Sequence, residues 1–433
     1  MTPFGFGPDQ NAEENSDGSE KFAAMLEEMQ KQMKEQFEKL GMNPAGFINA
    51  AQMSSEPLPR KTVRDTAKKF VSSQGSLPIG NSDTSVVAQA SSIAQLWLNE
   101  ATYFPALSSA TKTLSRNDWV DETLEGWHTT IEPLALGLSE AISGLLRDAQ
   151  ERDSSDGEDA QFPIPVETIA SLLRTFIGTL IATQLGQSIG ALATSVTGAH
   201  DVGLPLTEPV IASLVPENIA QWALDLEIPK SEVTLFHALR EEAVARLFHS
   251  NPWLVSYMRT AISDYGKGIR IDIDEIQRHA QEAMESGSID PNNPESLSIA
   301  IGEGFFTPEE SPTQREALDK LETVLALIDG WTDEVTTLAV DNRLPSISAL
   351  RETFRRRRAT SAPSAQLFKS LFGLEVSPRL TREASVFWSS VREKNGIDAR
   401  DRIWSSLLPT ADDLHDPESF MKSTQVPDDL SSL

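Results

Sequence analysis

HALREEAVARLFHSNPWL, residues 237–254, decides how this chain is read. Ser231, following Pro229, is placed to cap a helix that runs to about His249, with Pro252 starting the next. On a helix written H-E-x-x-H, two histidines four residues apart share one face and bind Zn²⁺ through imidazole nitrogens. The glutamate between them activates the bound water. Here that frame reads Arg240-Glu241-Glu242-Ala243-Val244. Arginine is cationic and does not lose its proton, so it repels Zn²⁺, and valine has no lone pair to offer. Glu241 keeps the place of a general base, but without a metal to acidify water a carboxylate supplies too little activation for amide hydrolysis.

Outward from this helix run QLWLNE (95–100), RNDWVDETLEGWHTTIEPLA (116–135), GTLIATQLGQSIGALA (178–193), GLPL (203–206) and LVPENIAQWALDLEIP (214–229). Downstream are YGKGIRID (265–272), LIDGWTDEV (327–335), LRETFRRRRA (350–359), LFGLEVSPRLTREASVF (371–387), RIWSSLLPTADDL (402–414) and DPESF (416–420). In order and spacing these segments, with LREEAVARLF and PWL, resemble a family of zincin-like hydrolases of largely unknown function whose members read LxE-x-A-H-x-RLF and then PWL. The resemblance spans about 86–420. It implies one large, mostly helical zincin-like domain with the altered metalloprotease helix near its centre. It also implies that Arg240 and Val244 stand at the two histidine positions, Glu241 at the general-base position and Asp329 at the third, carboxylate ligand. With an arginine facing that aspartate, an Arg240–Asp329 ion pair is expected in place of the metal cross-link.

The implied function is that of a relative which has lost its metal-binding histidines and binds a protein or peptide in the inherited cleft, with no cofactor. One alternative is a working hydrolase, either without metal or with zinc held by a ligand set foreign to the family. Another is an interaction scaffold acting through the N-terminal region.

The 433 residues include 64 acidic and 37 basic side chains, a net charge of −27. Such a charge repels phosphate backbones and anionic lipid, which argues against nucleic-acid and membrane partners. With 39% hydrophobic residues the chain supports a sizeable core. Cysteine is absent, so disulfides and thiolate zinc sites are excluded and a reducing compartment suits the composition. Residues 1–20 lack a positive segment followed by an apolar one, and a cytoplasmic location is expected. The longest uncharged run, Thr175 to His200, carries Gln184, Gln187 and Ser188 and reads as a buried helix rather than a membrane span.

Residues 1–20 read as a disordered acidic tail. Over 21–41, Phe22, Met25, Leu26, Met29, Met33, Phe37 and Leu40 recur at steps of three and four, giving an amphipathic Met-rich helix that docks on its own chain or a second copy, or presents an adaptable surface to another partner. Residues 42–85 read as a linker, 86–420 as the helical domain and 421–433 as a C-terminal tail. Strand signals are scarce, so an all-α protein is expected.

Several further patterns invite chemistry. GQSIG (186–190) has the spelling of a nucleophile elbow, but no strand precedes it; Gly186 and Gly190 read instead as sites of close helix packing. ERDSSDGEDA (151–160) reads as an acidic exposed loop, without the ligand alternation of a calcium site. His237, four residues before Glu241, suggests a local hydrogen bond, and His249 a helix-dipole partner. Of Arg355, Arg356, Arg357 and Arg358, at least one is expected to anchor internally and the rest to form a solvated face. The eight tryptophans read mostly as core.

Overall fold

The computed structural model describes residues 56–155, 166–224, 226–268, 311–361 and 378–423. Contacts divide the chain into one unit of Met1–Ser55, Leu145–Thr175 and Ile271–Pro308 and another of Glu56–Gly144, Phe176–Arg270 and Glu309–Leu433. In the first unit the described residues are helical; the core and the candidate site lie in the second. The acidic tail expected at 1–20, the Met-rich helix at 21–41 and most of the C-terminal tail fall outside the described residues.

Among the described residues the protein is all-α. Helices α1 (Arg60–Gln74), α2 (Asn81–Leu98), α3 (Arg116–Ser155), α4 (Val166–Ala193), α5 (Pro216–Trp222) and α6 (Lys230–Ser250) are followed by α7 (Trp253–Lys267), α8 (Pro312–Val340), α9 (Ile347–Ser361), α10 (Pro378–Arg402) and α11 (Pro417–Ser423). Two short strands, β1 (Lys112–Thr113) and β2 (Ser213–Leu214), pair in parallel. An isolated bridge adds Gly198 opposite Leu214.

Helix α8 is the hub: it packs most extensively on α10, then on α7 and α6, while α2 covers another side of α6. The Ser311 hydroxyl accepts from Gln314 N, and Pro312 occupies the first turn, where its missing N–H costs nothing. Trp119, Trp127, Trp331, Trp388 and Trp404 are fully buried. Helix α6 is buried on every face from Leu235 to Phe248, so its sequence has no amphipathic stripe. It nevertheless carries Arg240, Glu241, Glu242 and Arg246, all buried. Four charges without water each require a partner, and meeting that requirement shapes the site.

Three expectations are corrected. The segment read as a linker contains α1, whose Val63, Ala67 and Val71 are buried one helical turn apart. Pro57, Pro59 and Gly75 bound this helix rather than signal an unstructured stretch. The acidic segment at 151–160 is helical as far as Ser155, because α3 runs through it. Ser231 caps nothing: Pro229 holds the N-cap position of α6 without a side-chain hydrogen bond.

Helix α4 is continuous through Ser188, which has helix on both sides of it rather than a strand-to-helix turn. A Cβ on Gly190 would stand 2.6 Å from Phe70 Cβ and 2.9 Å from Ala67 O; one on Gly186 would meet Thr66 Cβ at 2.7 Å. These glycines let α1 lie directly on α4. Gly190→Ala is therefore expected to push α1 away and destabilise the protein by about 2 kcal/mol, read by denaturant unfolding. Among the described residues no helix is long and apolar enough to cross a membrane.

Candidate functional site

Each buried charge of α6 is met by partners from other parts of the chain. Arg240 donates from Nη2 to Asp329 Oδ1 on α8, with the two side chains 9% and 16% exposed. Its Nη1 lies 4.0 Å from Asp333 Oδ1, one turn further along α8, and its guanidinium sits 3.9 Å over the Phe354 ring. Glu242 accepts from Thr111 Oγ1 at 2.5 Å and Gln95 Nε2 at 3.2 Å, and burial raises its pKa against the pull of those two bonds. Arg246 donates to Asn99 Oδ1 at 2.9 Å and to the carbonyls of Gln95 and Phe104 at 2.8 and 3.3 Å.

Glu241 is held differently. Its carboxylate accepts from the backbone N–H groups of Ala199 (3.2 Å), His200 (3.1 Å) and Ser213 (2.9 Å), and from His200 Nδ1 at 2.8 Å. The bridge between Gly198 and Leu214 brings these amides together as an anion-binding concavity. A Cβ on Gly198 would lie 2.3 Å from Glu241 Oε2, so only glycine admits the carboxylate here. With Nδ1 donating to the carboxylate, the other ring nitrogen of His200, Nε2, has no hydrogen-bond partner among the described residues.

Around Arg240 paired charges form an open ring. Asp333 accepts from Arg351 Nη2 at 2.7 Å and Nε at 3.1 Å, from Arg355 Nη2 at 2.6 Å and from Ser385 Oγ at 3.0 Å. Burial opposes ionisation of Asp333, but the hydrogen bond and charge of Arg351 outweigh it and bring its pKa to about 2. Arg358 donates to Asp201 O and Oδ1 at 2.5 and 3.1 Å, and its Nη1 stands 3.6 Å from Asp329. Asp201 is held below the usual carboxylate range: burial works against it, and the Arg358 charge and the Thr197 N–H prevail. Arg240 is pushed the other way, its pKa lowered by burial and by Arg358 despite the pull of Asp329.

The ring borders a cavity of about 480 Å³ whose lining includes Arg240, Glu241, Val244 and Asp329 together with apolar Val202, Leu325, Ile328 and Phe354. A volume in that range is typical of ligand-binding clefts. A second cavity of about 320 Å³ shares Asp201, His237, Phe354 and Arg358 with it. His237 does not bond Glu241. It packs against Trp222, Phe236 and Phe354, and burial, opposed by Asp201 and aided by Arg240 and Arg357, brings its pKa to about 3. His249 lies exposed in the last turn of α6. The arginine run is more engaged than expected: Arg355 and Arg358 anchor in the ring and Arg357 stacks on Trp222 at 4.7 Å, while Arg356 makes an exposed pair with Glu352.

A family model described as zincin-like metallopeptidase matches residues 60–421. This chain belongs to the zincin-like metallopeptidase family. The match begins at the first residue of α1, so that helix lies inside the family's domain. The fold is similar to a crystal structure from Chloroflexus aurantiacus described as "a putative hydrolase with a novel fold", with a TM-score of 0.55 and 16% identity over 85% of this chain and 100% of that one. No curated protein matches.

The zinc that the family name implies does not fit the residues at this place. Arg240 and Val244 cannot ligate it, and the oxygens of Glu241 are occupied by N–H donors. Among the described residues no group of three or more His, Cys, Asp or Glu side chains could hold a metal ion.

Proposed function

We propose that this zincin-like protein has left zinc-dependent hydrolysis and uses the retained cavity to hold a segment of a protein or peptide. The observation that carries this reading is the pair of substitute bonds on α6. Arg240 is tied to Asp329 where the family resemblance sets a metal, and the neighbouring Glu241 is tied to three backbone amides and His200 instead of facing water. A carboxylate so enclosed is poorly placed to take a proton from a nucleophile. The lining, apolar on Val202, Val244, Leu325 and Ile328 and charged opposite, suits a ligand that offers both side chains and polar backbone.

Metal analysis of the full chain, purified without chelators, tests this directly. The expected result is well under one zinc per chain, unchanged after dialysis against excess zinc and removal of loosely bound ion. One tightly held zinc per chain would overturn the reading and favour a hydrolase with a different ligand set.

A further inference from the structure

The ring around the cavity does not balance. It joins four guanidinium groups, of Arg240, Arg351, Arg355 and Arg358, to three carboxylates, those of Asp201, Asp329 and Asp333. The other acidic groups in the lining are already committed, Glu241 to backbone amides and His200, and Glu352 to Arg356. Among these ion-paired groups the guanidiniums outnumber the carboxylates by one, on a chain whose net charge is −27.

Arg240 is well suited to take a further acceptor. It has five N–H donors and makes a single hydrogen bond among the described residues, while its stacking on Phe354 holds the planar group in place. A second, independent observation comes from His237. It is 2% exposed, lines the same cavity, and its Nε2 has no hydrogen-bond partner among the described residues. Buried polar atoms of this kind are normally satisfied, so a ligand bearing hydrogen-bonding groups is called for next to the charge. Exposed Arg382 also lines the cavity and adds to its attraction for anions.

We propose that the cavity recognises its peptide through a carboxylate, either the free C-terminus or an Asp or Glu side chain, which pairs with Arg240 and Arg358 and supplies the fourth negative charge of the ring. This rests on the peptide-binding reading given above and names the chemical feature selected.

The test uses the immobilised full chain and two pools of randomised N-acetylated tetrapeptides, one with free C-terminal carboxylates and one C-terminally amidated, with retained peptides identified by mass spectrometry. A preference of about tenfold or more for the free-acid pool is expected if the C-terminus is the group bound, as befits a charge-assisted pair out of water. Comparable enrichment of Asp and Glu within the amidated pool assigns the role to a side chain, and also supports the proposal. Equal retention of both pools with no acidic enrichment overturns the carboxylate inference and leaves the peptide cleft standing. Retention of neither pool overturns both. Arg358→Gln is expected to reduce the preference toward unity; if that variant does not fold, competition by millimolar acetate against the free-acid pool on the unaltered chain gives the same reading.

Discussion

Glu241→Ala is expected to cost about 4 kcal/mol of stability, a larger effect than any other single substitution at the site. The carboxylate is the acceptor for the N–H groups of His200 and Ser213 and for His200 Nδ1, and it shares the Ala199 N–H with Ser213 O at 3.3 Å. Truncation leaves three buried donors with nothing to bond, each costing about 1–3 kcal/mol, partly relieved if water enters from the cavity. A residue kept only for proton transfer would give the opposite pattern, with stability unchanged and turnover lost. Denaturant unfolding monitored by tryptophan fluorescence distinguishes the two outcomes, and a cost below about 1 kcal/mol would remove the structural role assigned to Glu241.

Arg240→Ala is expected to cost about 3 kcal/mol. It leaves Asp329 inside the protein with only the more distant Arg358, and it removes the guanidinium stacked on Phe354. Because part of the cost is an orphaned charge rather than a lost attraction, removing both partners should be milder. The double variant Arg240→Met/Asp329→Leu is expected to recover more than half of the loss. A double variant no more stable than Arg240→Ala would mean that the pair itself, rather than the desolvated aspartate, carries the energy. Both experiments share a readout with Gly190→Ala, which acts on the distant packing of α1 against α4 and should combine additively with either.

The all-α character was legible from helical periodicity, and α6 from its span between Pro229 and Pro252, since both depend on local chemistry. Arg240 and Asp329 were paired through the resemblance, which aligns residues 89 positions apart where periodicity has nothing to say. The rest of the ring was hidden. Asp333 could have been found, because it follows Asp329 by one turn and shares its face of α8. Asp201 and His200 could not: they follow the end of α4 in an irregular stretch, where the contact of Gly198 with Leu214, a long-range pairing with no local signature, sets His200 against Glu241 and Asp201 within reach of Arg358. Arg358 looked like one of four interchangeable cations, and only the packing of α9 separates it from Arg356. Helix α1 was missed because its apolar stripe is three residues wide, Val63, Ala67 and Val71, among lysines and arginines, so composition outweighed spacing.

The four charges on α6 are matched from several sides: α8 for Arg240, the 199–213 segment for Glu241, and α2 for both Glu242 and Arg246, with Thr111 before β1 added for Glu242 and Phe104 for Arg246. Such a helix can sit in only one rotation and one axial position. It also makes a zinc site hard to build at this place by single steps. A lone Arg240→His would forfeit the Asp329 partner without gaining a complete set of donors, and a lone Val244→His would set an imidazole beside a guanidinium. Any stepwise route from this sequence to a zinc site at that place is therefore expected to cross variants that are less stable and still metal-free.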